Sequence, residues 1–156
     1  MKKVVVSVTN DLSSDQRVHK ICTSLNNNNF DVLLIGRKLR NSKAISRKYK
    51  TKRFNLLFNS GFLFYAEYNI RLFFYLLFIK KNILVANDLD TLLANYLAST
   101  ITKCKLIYDS HELFTEVPEL TNRPFVKHVW ITIEKWIFPK LKTVYTVNSE
   151  IAEIYS

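Results

Sequence analysis

The stretch Ile107-Tyr108-Asp109-Ser110-His111-Glu112-Leu113-Phe114-Thr115-Glu116-Val117-Pro118 decides how the chain is read. A short apolar run, Leu106 to Tyr108, gives way to Asp109, Ser110, His111 and Glu112, with Thr115 and Glu116 close behind. A strand buried on both faces leaves that trace when it surfaces, and its end delivers polar side chains to a cleft. His111 lies among carboxylates in the expected loop rather than on an apolar face.

Other runs repeat the pattern. Val4 to Thr9 is apolar and stops at Asn10-Asp11-Leu12-Ser13; Asp31 to Ile35 ends at Gly36; Ile83 to Ala86 ends in Asn87-Asp88-Leu89-Asp90; Thr143 to Val147 ends in Asn148-Ser149. A weaker strand is expected near Lys52 to Leu56. Helical spacing fills the intervals. Ser13 with Gln16 fits a capping box, followed by Val18, Ile21, Cys22 and Leu25 on one face, and Asn26 to Asn29 close that helix. Leu56 to Ile79 reads as a long helix packed on the sheet, with apolar surface left over. Asn87 or Asp88 can cap a third helix, with Leu89, Leu93, Tyr96, Leu97 and Ile101 as its buried stripe. Phe125 to Phe138 forms a fourth, with Val126, Val129, Trp130, Ile133, Trp136 and Ile137 inward and Pro139 at or near its end. A further helix, capped by Asn148 or Ser149, is expected after the last strand. Strands alternating with helices predict an α/β fold, a Rossmann-like three-layer sandwich with a mostly parallel sheet.

At 156 residues, 48% of them apolar, the chain reads as a single domain with a sizeable core. Cys22 and Cys104 make neither a disulfide framework nor a metal site and read as small buried hydrophobes, which suits a reducing compartment. The apolar part of the N-terminus is too short for a secretory signal. Up to Arg53 there are thirteen Lys and Arg against three acids; beyond it the two signs balance at ten each. Arg37 to Arg53 holds nine basic residues and no acid, and Arg37 to Lys52 has no periodicity. That run reads as a surface loop, and Arg47, Lys48, Lys50, Lys52 and Arg53 within it suggest an anionic partner. A membrane span needs about twenty apolar residues without charges. Leu56 to Ile79 is broken by Asn59, Gly61, Glu67, Asn69 and Arg71.

Ligands of open parallel sheets bind outside the carboxyl ends of the strands. The residues there are Asn10-Asp11, Gly36, Asn87-Asp88, Asp109-Ser110-His111-Glu112 and Asn148-Ser149. Helix capping alone explains Asn87 or Asn148, but not His111. His19 and His128 lie on helices and are expected to be solvated. Two glycines exclude a dinucleotide fingerprint and a phosphate loop, and no Gly-flanked Ser forms a nucleophile elbow. Three scattered histidines give no zinc site. Acid/base or positioning chemistry by His111 with Asp88, Asp90, Asp109 and Glu112 remains.

Three segments together resemble a known family: Thr9-Asn10-Asp11-Leu12-Ser13-Ser14-Asp15-Gln16-Arg17-Val18-His19-Lys20, Ala86-Asn87-Asp88-Leu89-Asp90-Thr91-Leu92 and Tyr108-Asp109-Ser110-His111-Glu112-Leu113-Phe114. The likeness, over essentially the whole chain, is to the N-terminal half of GT-B-type glycosyltransferases, most of all the large retaining family called group 1 or family four. The resemblance implies two Rossmann-like domains facing across a cleft. The N-terminal one mainly holds the sugar acceptor, a glycan or a lipid-linked sugar, and the C-terminal one holds the nucleotide-sugar donor. It implies no metal and no cofactor beyond that donor substrate. By resemblance, His111 and Asp88 are the catalytic candidates, His111 lying near the transferred sugar. Asn10, Asp11, Ser13, Ser14, Asp15 and Arg17 would approach the donor diphosphate and acceptor, with Asn87, Asp90, Asp109, Ser110 and Glu112 completing the substrate site. The first loop lacks the glycine pair that many members carry there.

On this reading, residues 1–156 are one glycosyltransferase N-terminal domain without its donor-binding half, inactive until that half is supplied in cis or in trans. A role in cell-envelope glycan or glycolipid synthesis is expected, in the cytoplasm or on the inner face of the cytoplasmic membrane. Many members of the family dock there through basic and apolar surface of this domain, which Arg37 to Arg53 and Leu56 to Ile79 also offer independently. The alternative is a non-catalytic module docking on a membrane or anionic polymer. A nucleic-acid partner is not expected, because the basic run lacks interleaved aromatics apart from Tyr49 and Phe54 and is not a reading helix.

Overall fold

In a computed structural model, which describes residues 1–111 and 124–146, six strands form one sheet in which every pairing is parallel. In chain order these are β1 (Lys3–Asp11), α1 (Gln16–Asn27), β2 (Asp31–Lys38), β3 (Lys50–Asn55), α2 (Gly61–Phe78), β4 (Ile83–Asn87), α3 (Leu89–Thr102), β5 (Lys105–Ser110), α4 (Pro124–Ile137) with a 3₁₀ turn at Phe138–Lys140, and β6 (Val144–Thr146). The spatial order is β3-β2-β1-β4-β5-β6. This is the Rossmann-like α/β sandwich expected from the alternation. The chain turns outward in both directions from β1 and β4, so the switch point lies between their carboxyl ends.

The pleat divides the core. Val4, Val6 and Val8 of β1 pack with Val18 and Cys22 of α1, whereas Val5 packs with Phe64, Tyr68 and Leu72 of α2 and Ala94 and Ala98 of α3. Ala86, Tyr108, Leu92, Trp130 and Ile137 join α3 and α4 over β4 and β5. Cys22 is fully buried, which pushes its thiol up to about 12 and makes it inert. Cys104 is half-buried and contacts the Thr102 hydroxyl at 3.4 Å.

Several boundaries differ from the sequence reading, each for a physical reason. α1 begins at Gln16, capped by Asp15, whose carboxylate accepts the Val18 N–H at 3.0 Å; Ser13 and Gln16 make no capping box. Ser13 is instead inside a turn, its N–H donating to the Asp11 carboxylate. β2 runs through Gly36 to Lys38. Gly36 is required there by close approach: a Cβ would fall 2.4 Å from Leu12 Cδ2 and 2.8 Å from the Asn10 carbonyl oxygen. The expected basic loop is shorter, because Lys50, Lys52 and Arg53 belong to β3, where Phe54 is the one buried residue. Neither Asn87 nor Asp88 caps α3 through its side chain. The α3 stripe is also different. Ile101 is 61% exposed, while Ala94, Asn95, Ala98 and Ser99 are buried, since small residues let the helix lie close against α2 and the sheet. Trp136 is half-exposed, edge-on to Tyr96, rather than inward.

Among the described residues no helix is long and apolar enough to cross a membrane. α2 buries Phe64, Tyr68, Leu72 and Leu76 and leaves Leu63, Ile70, Phe74 and Phe78 outward at helical spacing. Its Glu67 accepts the backbone N–H groups of Leu57 and Phe58 and pairs with Arg71 at 2.7 Å, fastening the preceding loop. Tyr68 donates its hydroxyl hydrogen to the Val8 carbonyl and lies 3.4 Å from that of Ile35. Val8 falls where the β1–β2 register breaks between Ser7 and Asp11, so its carbonyl needs a partner outside the ladder.

Candidate functional site

The carboxyl ends of β1, β4 and β5 bring together Arg17, Asn87, Asp88, Asp109 and His111. Arg17, one residue into α1, reaches across to the other two strands. Its Nη1 meets Asp109 Oδ2 at 3.0 Å; Nη2 lies 3.5 Å from Asn87 Oδ1 and 3.8 Å from Asp88 Oδ2. On the other side of Asp88, His111 Nδ1 lies 2.6 Å from Oδ1, and the His111 N–H points to the same oxygen at 3.4 Å. The short Nδ1 contact is an ion pair when the imidazole is protonated. Asp88 is thereby held between a guanidinium and an imidazole. The imidazole stays 27% exposed, within reach of a ligand.

The backbone of Asp88 is unusual. Its φ of 62° and ψ of 167° lie in a region that is essentially reserved for glycine. The surroundings impose it: the Asp88 N–H donates to the Asp109 carbonyl at 2.9 Å, and the Asp88 carbonyl accepts from Thr91 as α3 begins. The strain turns the carboxylate to the cluster instead of to a helix cap.

Asp109 is buried to 3% exposure. Burial pushes its carboxyl up and the Asp88 charge pushes the same way; Arg17 and His111 oppose but do not cancel them. Among the described residues its Oδ1 has no hydrogen-bond partner, which leaves a buried acceptor at the strand end.

Other candidates make hydrogen bonds within the fold. Asp11 is buried and accepts hydrogen bonds from Ser13 N–H at 3.0 Å and the Ser42 hydroxyl at 2.5 Å. Burial raises its pKa, but those bonds and Arg53 outweigh burial and hold it below the ordinary carboxylate value. Asp15 caps α1 and takes the exposed Asn10 amide at 3.1 Å. Ser14 donates its hydroxyl to the Asp11 carbonyl. Asp90 is buried, accepting from Thr9 at 2.5 Å through its carboxylate and from Asn69 at 2.7 Å through its carbonyl, and so ties β1, α2 and α3 together. Asn87 donates to the Ser7 carbonyl while facing Arg17. Ser110 is fully buried in β5. Glu112, Asn148 and Ser149 lie outside the described residues.

His19 is not solvated as expected. Its Nδ1 lies 2.7 Å from the hydroxyl of Tyr49, which is buried as β3 begins, and burial with the nearby Arg47 lowers its pKa. The basic residues have separate partners. Arg47 reaches the Leu12 carbonyl and Arg53 that of Lys43; Lys50 pairs with Asp31 at 3.2 Å, Lys52 sits over the Tyr75 ring and Lys48 is exposed. No metal-binding group of His, Cys, Asp and Glu occurs among the described residues.

No protein-family profile matches the chain, and no curated protein does. Solved structures do. Sucrose-phosphate synthase from Thermosynechococcus elongatus superposes with a TM-score of 0.71 at 12% identity, over 99% of this chain and 80% of that one. MnaA of S. aureus, in a co-structure with UDP, gives 0.63 at 14% identity, over 99% and 40%. UDP-GlcNAc 2-epimerase from Methanocaldococcus jannaschii gives 0.58 at 18% identity, over 99% and 41%. The chain thus spans about two fifths of the last two. These likenesses show the fold: a GT-B-like, Rossmann-like domain, in agreement with the resemblance read from the three motifs.

Proposed function

We propose that this domain is the acceptor-side half of a sugar-nucleotide-dependent glycosyltransferase, working in cell-envelope glycan or glycolipid synthesis with a donor-binding domain supplied in cis or in trans. The Arg17–Asp88–His111 cluster at the switch point carries the reading, because it puts an accessible imidazole between two strand ends where such folds bind ligands. The UDP bound by MnaA supports a nucleotide-sugar donor. In this reading Asp88 lies against His111, its Oδ1 2.6 Å from Nδ1, and His111 contacts the transferred sugar. Arg17 limits the negative charge of the two aspartates. Asn10 and Ser14, exposed on the first loop, are the remaining substrate contacts.

The test is transfer from a panel of nucleotide sugars to lipid-linked and free glycan acceptors, with a donor-binding domain fused or co-expressed. A loss of about 10²-fold or more in His111→Ala is expected for a positioned acid or base. Undiminished transfer by that variant would remove His111 from the mechanism.

A second reading, a docking module for an anionic membrane, is favoured by α2. Phe74 and Phe78 stand outward with Ile70, Lys52 and Arg71 flank them, and Lys80 and Lys81 follow the helix end. Flotation with phosphatidylglycerol vesicles tests this docking. Binding that survives both Phe74→Glu with Phe78→Glu and neutralisation of Arg47, Lys48, Lys50, Lys52 and Arg53 excludes this surface.

A further inference from the structure

A second cavity, of about 810 Å³, opens at the rim of the sheet opposite the His111 cluster, where β4, β5 and β6 begin. Six residues of β5 separate the two rims, roughly 16–20 Å along a strand. All the residues lining the cavity are described, and its chemistry is one-sided. Lys103, Lys105, Lys140 and Lys142 stand around it, and no carboxylate lines it. Ile83, Leu106, Ile107 and Leu141 make an apolar floor, with the Ser99, Thr100 and Thr143 hydroxyls beside it.

One of the cations is held in place and the backbone of another is fixed. Lys140 Nζ lies 4.5 Å above the Trp136 ring and 5.9 Å from the Tyr96 ring, a pair that cross edge to face. Lys103 ends α3 in the left-handed conformation, φ 53° and ψ 31°, where glycine is the ordinary residue. A cation at a helix C-terminus is favourable, which accounts for one lysine. It leaves three more around one concave apolar space unexplained, since like charges in a cleft repel and focus their field until an anion enters. The volume falls within the roughly 300–1,000 Å³ of small-molecule sites.

We propose that this cavity binds an organic phosphate, its phosphate oxygens held by the lysines and its apolar body lying on the floor. Nucleoside diphosphates and prenyl diphosphates share this chemistry and differ in the body. The proposal does not depend on the glycosyltransferase reading.

The test is calorimetric titration of the whole chain with pyrophosphate, uridine diphosphate and farnesyl diphosphate, the last below its micellar concentration, with Trp136 fluorescence as a second readout. Lys103→Gly, Lys142→Gln and His111→Ala are compared with the parent. At least one organic diphosphate binds more tightly than pyrophosphate. Lys103→Gly and Lys142→Gln each weaken it by up to about fivefold, and high salt weakens it further. His111→Ala leaves the affinity unchanged. Because glycine suits the Lys103 backbone, Lys103→Gly melts no lower than the parent, so weaker binding cannot be blamed on unfolding. Preference for farnesyl diphosphate assigns a lipid ligand, and preference for uridine diphosphate a nucleotide. The proposal is overturned by no binding, by pyrophosphate matching both organic ligands, by affinity unaltered in the lysine variants, or by loss in His111→Ala.

Discussion

Replacing Asp88 by glycine and by alanine separates strain from contact. Both variants lose the carboxylate, and with it the contacts to Arg17 at 3.8 Å and His111 at 2.6 Å, so that loss cancels between them. What differs is the backbone. At φ 62° and ψ 167° a residue bearing a Cβ is strained by roughly 1–3 kcal/mol, and glycine is not. Glycine loses more freedom on folding, an opposing effect of roughly 0.4–1 kcal/mol. The difference leaves Asp88→Gly more stable than Asp88→Ala by about 0.5–2 kcal/mol, or roughly 1–8 °C in melting temperature for a chain of this size. Glycine also exceeds alanine at an ordinary helix N-cap, by up to about 1 kcal/mol, so it is a gap at the upper end of this range that strain adds. Thermal unfolding followed by circular dichroism, repeated in urea, reads the sign directly. An alanine variant as stable as the glycine one, or more so, refutes the claim that this backbone is strained.

Three further outcomes follow from the packing. Gly36→Ala is expected to destabilise by about 1–3 kcal/mol, because the new methyl meets the Asn10 carbonyl as well as Leu12; unchanged urea unfolding would show that the first loop yields freely. Tyr68→Phe removes the donor from the buried Val8 carbonyl and is expected to destabilise by about 1–3 kcal/mol, measured by denaturant unfolding with the slope unchanged. For Glu67, burial raises the pKa, but the Phe58 and Leu57 N–H groups and Arg71 outweigh it, so the folded value lies below the ordinary 4.5. Its stabilisation is therefore present above that value and lost as pH falls through the folded one. Glu67→Gln should narrow the stability gap to the parent on acidification, and a gap that stays constant from pH 6 to pH 2 contradicts this.

The legible parts of the chain were those where burial is symmetric. β1, β4 and β5 are covered on both faces, so their residues form near-continuous apolar runs that end where the strand surfaces. β3 is not legible in that way, since Lys50, Thr51 and Lys52 are exposed and Phe54 alone is buried. The face of α3 was misread because large residues attract attention, whereas Ala94 and Ala98 are what close packing demands. In the candidate site, Asp88, Asp109 and His111 were visible as polar residues just past apolar runs. Which carboxylates face a ligand was not: Asp11, Asp15 and Asp90 have the same sequence signature, and their hydrogen bonds turn them into struts. Arg17 stood in the first motif, but its reach to Asp109, 92 positions away, has no local trace. Nor does the tie between His19 and Tyr49, which depends on β3 returning beside β2.

Among the described residues β3 is an edge strand, which bears on self-association. An open strand offers unpaired N–H and C=O groups to any passing strand, and the outward phenylalanines of α2 lie beside it. Two copies meeting edge to edge would bring Lys50, Lys52 and Arg53 of one against the same three of the other. The cations that first suggested an anionic partner thus also act as a guard against self-templated sheet extension, and neutralising them would invite fibrous aggregation whether or not a partner were lost.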